Sequence, residues 1–227
     1  MLSNNIPKHV AIIPDGNRRW AKAKGLPTFE GHRRGFDVIS KIATKAREIG
    51  VKVFTVWAFS TENWNRSENE VNYLMDIYEK WIDENLKTAI KDKIRIIHLG
   101  RKDRIRKSLL KKLSNAESKT KEFNKSYLCI ALDYGGRDEI VRAFKNIKDK
   151  NVKIEDLEKY LDTKILPYPN PDLIIRTSGQ FRTSGFMTWQ SAYSEYSVVE
   201  KHLPDFKVVD FLDCIETYKK RNRRFGH

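Results

Sequence analysis

Apolar positions along this chain alternate between two rhythms. Short apolar and β-branched runs at His9–Ile13, Val51–Ala58, Ile94–Leu99, Tyr127–Leu132 and Leu173–Arg176 suit buried strands. Between them, apolar residues recur at three and four positions, as one face of a helix does. Phe36, Ile39, Ile42, Ala43, Ala46 and Ile49 mark the first such face, and Val71, Leu74, Met75, Tyr78, Trp81, Ile82 and Leu86 mark a longer one. Ile105, Leu109, Leu113 and Ala116 form a third, Ile140, Val141, Phe144 and Ile147 a fourth, and Val208, Phe211, Leu212, Ile215 and Tyr218 the last. Strands separated by helix-length crossovers must pair in parallel. The pattern therefore predicts a single α/β domain over residues 1–227, with a central, mostly parallel β-sheet flanked by helices.

Open parallel sheets bind ligands at the carboxyl ends of their strands. Four polar clusters fall there: PDGNRR after the first strand, STENWNR after the second, DYGGRDE after the fourth and RTSGQFRTS after the fifth. Charge narrows the ligand. Lys and Arg total 44 against 30 Asp and Glu, a net charge of +14, which points to anionic partners such as nucleic acid, anionic lipid or phosphorylated metabolites.

The N-terminus MLSNNIPKHV has no apolar signal core, and no run reaches the ~18 apolar residues of a spanning helix. A soluble or peripheral protein is expected. Cys129 and Cys214 lack metal-ligand spacing and read as reduced, packed thiols, which favours the cytoplasm.

Two clusters read as phosphate clamps. After Asp15-Gly16-Asn17, residues 18–24 can open a helix whose free N–H groups suit a phosphate. Gly16 lets the backbone approach, and Arg18 and Arg19 add positive charge. Asp15 would repel a phosphate unless a cation lay between them, which suggests Mg²⁺. Arg176-Thr177-Ser178-Gly179 with Arg182-Thr183-Ser184 offers a second clamp of two guanidinium forks and four hydroxyls. Neither G-x-x-x-x-G-K-[ST] nor G-x-G-x-x-G occurs, so the usual nucleotide and dinucleotide motifs are absent.

In order, HVAIIPDGNRRWA, GHRRG, AFSTENWNR, YGGRDEI, DLIIRTSGQFRTSGFMTWQSAYSE and RNRRFG resemble the motifs of the cis-prenyltransferases, the undecaprenyl diphosphate synthase family. The resemblance runs from His9 to Gly226. It implies Mg²⁺-dependent condensation of isopentenyl diphosphate with an allylic diphosphate, farnesyl diphosphate being the expected primer, to a polyprenyl diphosphate such as a lipid-carrier precursor. It further implies a hydrophobic tunnel, walled in part by the helix over Val71–Leu86, and a homodimer.

By the same resemblance, Gly16, Asn17, Arg18, Arg19 and Trp20 serve the allylic diphosphate with His32 nearby, while Asp15 engages Mg²⁺ and assists departure of diphosphate. Arg176, Arg182, Thr183 and Ser184 hold isopentenyl diphosphate, and Glu195 is a further Mg²⁺ contact. Asn63 accepts the departing proton or positions a group that does, with Ser60 beside it. Thr61, Glu62, Trp64 and Arg66 belong to the same substrate loop. The tail of Arg221, Arg223, Arg224, Phe225 and Gly226 reaches across the homodimer interface. The chain departs from the family pattern at Thr28, where an arginine is common, at Gln180-Phe181, where some members have Glu-His, and at Gly100-Arg101, where Gly-Asp is frequent.

A rival reading is a basic protein that binds nucleic acid or anionic lipid without prenyl transfer. The lysine-rich stretch 101–125 has only Phe123 as an aromatic, so it lacks interleaved stacking residues. No nucleic-acid partner is expected, while peripheral contact with an anionic membrane stays compatible. A silent scaffold subunit would be expected to lack Asp15 or the arginine clamp, and both are present.

Overall fold

The computed structural model describes residues 5–148, 151 and 153–221. Strands β1 (His9–Ile13), β2 (Val53–Ser60), β3 (Ile94–Leu99), β4 (Ser126–Tyr134), β5 (Leu173–Thr177) and β6 (Glu195–Val199) form one sheet. Its order is β3-β4-β2-β1-β5-β6, and every neighbouring pair is parallel. The helices are α1 (Asn17–Ala23), α2 (Thr28–Glu48), α3 (Glu68–Lys91), α4 (Lys107–Thr120), α5 (Gly136–Asn146), α6 (Ile154–Glu158) and α7 (Val208–Lys219).

One sheet face, carrying Val10, Ile12, Phe54, Ile96 and Ile130, packs under α2, α3, α4 and α7. The other, carrying Ala11, Val53, Ile97, Cys129 and Ile174, packs against Phe186 and Met187. Both cysteines are buried with free thiols. None of the described helices is long and apolar enough to cross a membrane.

Three details differ from the hydropathy reading. A sixth strand, β6, was not expected; it lies at the sheet edge, is only half-buried, and so lacks a strong apolar run. Strands β2 and β4 continue two residues beyond Ala58 and Leu132, because Ser60 and Tyr134 still pair with each other across the sheet after a register shift. On α5, Val141 and Phe144 are exposed while Glu139 and Ala143 face inward, so its apolar stripe is not the buried face.

Candidate active site

The strand order reverses beside β1: the chain leaves β1 toward β2 on one side and leaves β5 toward β6 on the other. A crevice opens at such a switch point. Asp15 stands in it, just past β1. Its backbone N–H donates to Thr177 Oγ1 (2.9 Å), whose hydroxyl donates back to the Asp15 carbonyl (2.7 Å). The Leu203 N–H also donates to that carbonyl, at 3.0 Å.

Arg176, the fourth residue of β5, is buried and fans its guanidinium across the crevice. Nη2 donates to Asp15 Oδ2 (2.9 Å), and Nη1 reaches Ser184 Oγ (3.0 Å) and the Arg182 carbonyl. Its Nε is buried and has no hydrogen-bond partner among the described residues. Arg19 Nη2 donates to the other Asp15 oxygen at 3.1 Å. Burial opposes ionisation of Asp15, but the hydrogen bonds from Arg176 and Arg19 overcome it and hold the carboxyl below its ordinary value. Asp15 is therefore an anion at neutral pH, bracketed by two guanidiniums.

The turn into α1 requires Gly16. Its φ is +97°, and a Cβ there would stand 2.5 Å from Ser178 Oγ and 2.6 Å from His202 Nδ1. The two glycines of GHRRG act one turn apart on α2. A Cβ on Gly31 would meet the Asn17 carbonyl at 2.1 Å, and one on Gly35 would meet Asn17 Oδ1 at 2.6 Å. Their absence of side chain lets α2 lie against the start of α1 and turns His32 inward.

His32 faces Glu70, in the first turn of α3, at 3.4 Å. Glu70 also accepts from Arg66 Nη1 at 3.0 Å and lies 3.9 Å from Arg18 Nε. Burial, reinforced by Arg66 and opposed by Glu70, lowers the His32 pKa to about 4, so the imidazole is neutral at pH 7.

Two hollows meet at this cluster. One is a basic cleft of 630 Å³ beside α1, bordered by Arg18, Arg19, Lys22, Thr28, His32 and Arg66. The other is a cavity of 270 Å³ between α2, α3 and the sheet, walled by Phe36, Ile39, Leu74, Tyr78, Trp81 and Leu128. Asp15, Asn17, His32 and Arg66 border both. The large aromatics satisfy their own polar atoms: Tyr78 Oη donates to the Ala58 carbonyl (2.5 Å) and Trp81 Nε1 to Ser40 Oγ (2.9 Å). The interior is left apolar, while at the mouth Asn17 Oδ1 and Arg176 Nε have no hydrogen-bond partner among the described residues. Such a shape accepts a molecule with a long hydrocarbon end and a polyanionic head.

The structure thus gathers Asp15, Gly16, Asn17, Arg18, Arg19, His32, Arg66, Arg176 and Ser184 at one mouth, with Ser60 and Asn63 on the rim of the cavity. Other residues from the sequence expectation lie elsewhere. Trp20 is buried under α1, with Arg34 and Lys24 stacked over its ring at 5.1 and 5.3 Å. Trp64 donates to Asp133 (2.9 Å) and packs edge-on against Phe59. Thr61 donates to Glu62 at 2.9 Å and abuts Gly135. Arg182 is exposed and contributes its carbonyl to Arg176, with its guanidinium on Gln180 (2.5 Å). Thr183 closes a turn: its hydroxyl accepts from the Gly185 N–H at 3.5 Å and its carbonyl from the Phe186 N–H at 3.0 Å.

Asn63 Oδ1 accepts from the Ser60 N–H at 3.0 Å, so that oxygen closes the turn at the end of β2. Glu195 is not brought to Asp15 within the chain. It begins β6 level with Leu173, three residues before Arg176, and receives Arg221 Nη1 at 2.8 Å. Arg223, Arg224, Phe225 and Gly226 lie outside the described residues.

Of the three departures from the motif pattern, Thr28 lines the basic cleft and Phe181 is 88% exposed. Arg101 has a structural account: it pairs with Asp103 and with Asp138 (3.0 Å). Sequence reasoning missed Glu70, whose position in the first turn of α3 gave no hint of three basic neighbours; it placed Thr177 in the second clamp but not against Asp15, a contact made by the parallel neighbours β1 and β5.

Among the described residues, no three His, Cys, Asp or Glu side chains converge into a metal cage. Mg²⁺ does not need one. It binds readily through one or two carboxylates, substrate phosphates and water, and the single anionic Asp15 beside two cationic clamps fits that role.

The undecaprenyl diphosphate synthase family model matches residues 13–226. An isoprenyl transferase of Thermotoga maritima is 47% identical, over 97% of each chain. The tritrans,polycis-undecaprenyl-diphosphate synthase (geranylgeranyl-diphosphate specific) of Methanocaldococcus jannaschii is 42% identical, over 98% of this chain and 84% of that one. The lavandulyl diphosphate synthase of Lavandula x intermedia, solved with dimethylallyl diphosphate, superposes with a TM-score of 0.94 at 35% identity, covering 98% of this chain and 99% of the other.

Proposed function

This chain belongs to the undecaprenyl diphosphate synthase family and is a prenyltransferase; on that premise we propose that it joins isopentenyl diphosphate to farnesyl diphosphate and extends the product into a cis-polyprenyl diphosphate. The observation that carries this reading is the shared mouth, where Asp15, Asn17, His32 and Arg66 border both a basic cleft and an apolar cavity, with Arg176 on the cavity side paired to Asp15.

In this reading the allylic diphosphate lies at the N-terminus of α1, where the backbone N–H groups, Arg18 and Arg19 bind its oxygens, and its hydrocarbon enters the cavity. Asp15 would hold Mg²⁺, which would stabilise charge on the departing diphosphate. Arg176 presents its free Nε to the second diphosphate, and Ser184 and Arg182 adjoin it. The allylic C–O bond breaks with its electrons leaving on diphosphate, and the isopentenyl double bond supplies the pair for the new C–C bond. A proton then leaves from the adjacent carbon. Because Asn63 Oδ1 is already engaged, Asn63 positions the loop, and a diphosphate oxygen is the better acceptor. The apolar walls exclude water from the allylic cation.

Trp81 is the floor that sets product length, since its indole is pinned across the cavity by Ser40. The primer is the least constrained element. Named relatives are specific for geranylgeranyl diphosphate or were solved with dimethylallyl diphosphate. The exposed Val141 and Phe144 on α5 suit a homodimer contact. A second copy is then the source from which Glu195 could approach Mg²⁺. The protein would act in the cytoplasm at a membrane that receives its product.

The test incubates purified protein with labelled isopentenyl diphosphate, Mg²⁺ and farnesyl, geranylgeranyl or dimethylallyl diphosphate, beside Asp15→Ala. Long products with the first primer, lost in the variant, are expected. No product with any primer overturns the reading.

A further inference from the structure

The opposite edge of the sheet carries a second arrangement of charge. Four adjacent strands are each preceded by a lysine: Lys93 before β3, Lys125 before β4, Lys52 before β2 and Lys8 before β1. Extrapolating the strand register sets Lys93 beside Lys125, and Lys52 beside Lys8 one residue nearer the sheet. Backbone bonds tie the row together: the Lys52 N–H donates to the Lys8 carbonyl (2.9 Å) and the Tyr127 N–H to the Lys52 carbonyl (2.8 Å). With strands roughly 4.8 Å apart, the row spans roughly 15 Å.

All four lysines are exposed, and among the described residues none makes an ion pair. The nearby acids are engaged. Glu48 pairs with Lys45, Asp92 with Arg47 and Glu122 with Lys121, while Asp172, which ends the row before β5, accepts from the Lys8 and His9 N–H groups. A shallow groove beside the row is bordered by Arg47, Glu48, Lys91, Asp92, Lys93 and Lys125. Under it lies an apolar hollow of 90 Å³, lined by Val51, Phe54, Ile94 and Ile96. Trp81, Ala43 and Leu128 line both this hollow and the active-site cavity, as a partition between the two.

We propose that this lysine row is a docking surface for an anionic lipid bilayer, seating the far end of the apolar path against the membrane. Lysines are compact point charges suited to a diffuse anionic field, whereas recognition of a specific phosphate favours the arginine fork found at the other edge. The hollow is bordered by Val51, Ile94 and Ser126, the chain neighbours of Lys52, Lys93 and Lys125, and its largely apolar lining suits hydrocarbon; Tyr127, the aromatic next to Ser126 at the row, is buried and offers no face for base stacking. The membrane side of the proposal stands on the row itself; its use for delivering a polyprenyl tail rests on the proposed function.

The test is sedimentation with phosphatidylcholine vesicles, with and without phosphatidylglycerol, at low salt. Wild-type protein is expected to bind only the anionic vesicles. K8Q/K52Q/K93Q/K125Q lowers partitioning about 100-fold, from roughly fivefold per lysine reduced by screening. K52Q/K125Q loses more than K107Q/K111Q, an equal charge change at exposed lysines of α4. Equal loss in the two pairs, absence of binding by the wild type, or selective loss of polynucleotide retention instead of vesicle binding overturns the proposal. Prenyl transfer is assayed on the same samples. Transfer without docking removes this inference alone, and docking without transfer removes the proposed function alone.

Discussion

The two edges of the sheet handle positive charge in opposite ways. At the carboxyl edge Arg176 is buried and divided among Asp15, Ser184 and a carbonyl, while Arg66 is committed to Glu70. At the amino edge the side chains of Lys8, Lys52, Lys93 and Lys125 are exposed and, among the described residues, form no ion pair. A buried cation must be paired because its desolvation is costly, and pairing fixes the direction of its donors. Exposed cations need no partner and act through their summed field. The first arrangement suits chemistry on one small anion, and the second suits a broad anionic surface.

The most severe way to break the comparison is Asp15→Ala, which leaves Arg176 buried without its carboxylate and removes the proposed Mg²⁺ contact. Prenyl transfer is expected to fall on the order of 10²–10³-fold at saturating Mg²⁺, and a loss below tenfold would contradict the role given to Asp15. Next comes Trp81→Ala, which merges the two apolar hollows. The product distribution shifts to longer chains by chromatography while Trp81→Phe shifts it less; unchanged lengths would remove Trp81 as the floor.

A smaller effect sharpens the backbone side of the contrast. Gly16→Ala forces a Cβ into Ser178 and His202 at φ +97°, at a cost of about 1–3 kcal/mol, so thermal denaturation should show Tm several degrees lower. Gly25 has φ +64° with open space around it, and Gly25→Ala costs only the left-handed penalty of about 1 kcal/mol. A larger drop for Gly25→Ala would contradict the close-approach account.

Acidification tests both edges together. Burial holds His9, at the amino edge, and His32, at the carboxyl edge, at pKa values of about 4. As pH falls through 6.5 the unfolded chain takes up protons that the folded chain refuses, so stability declines between pH 6.5 and about 4. The lowered pKa of Asp15 acts in the same direction in a lower window: its contribution is present at neutral pH and is lost only as pH falls through and below the ordinary carboxylate range. In a Tm series, His32→Asn should flatten part of the slope between pH 6.5 and 4; an unchanged slope would show that His32 does not couple to folding. The smallest effect is at the lysine row, where K52Q/K125Q should leave transfer from dissolved substrates unchanged.

Much of the layout was readable before any coordinates. Alternating strand and helix periods imposed parallel crossovers, and those placed the polar clusters after β1, β2, β4 and β5 on one edge. Asp15 and Gly16 were noticeable in the sequence because the strand ends in Pro-Asp-Gly beside arginines, a stretch that an ordinary capped turn would also explain; the structure sets both in the crevice beside Arg176. Glu70 was not legible, because a carboxylate in the first turn of a helix is ordinary capping chemistry until Arg66, Arg18 and His32 are seen around it. Trp64 and Trp20 lie beside motif residues in the sequence, and only the structure shows that each packs within the fold, Trp64 edge-on against Phe59 and Trp20 buried on α1. The stripe on α5 shows the limit of periodicity, which identifies an apolar face and not what covers it.

By itself, then, the sequence determined the periodicities, the parallel connectivity, the surplus of basic charge and the motif residues that mark the family. These are local or additive properties, carried by neighbours along the chain. The tertiary structure decided which clusters meet across the β1 and β5 crevice, which polar atoms keep unused hydrogen-bonding capacity, that Trp81 lines both apolar hollows, and that four lysines far apart in sequence stand in one row. Those depend on strand order and register, which bring residues 164 positions apart into hydrogen-bond contact, as with Lys8 and Asp172, and no local pattern encodes that distance.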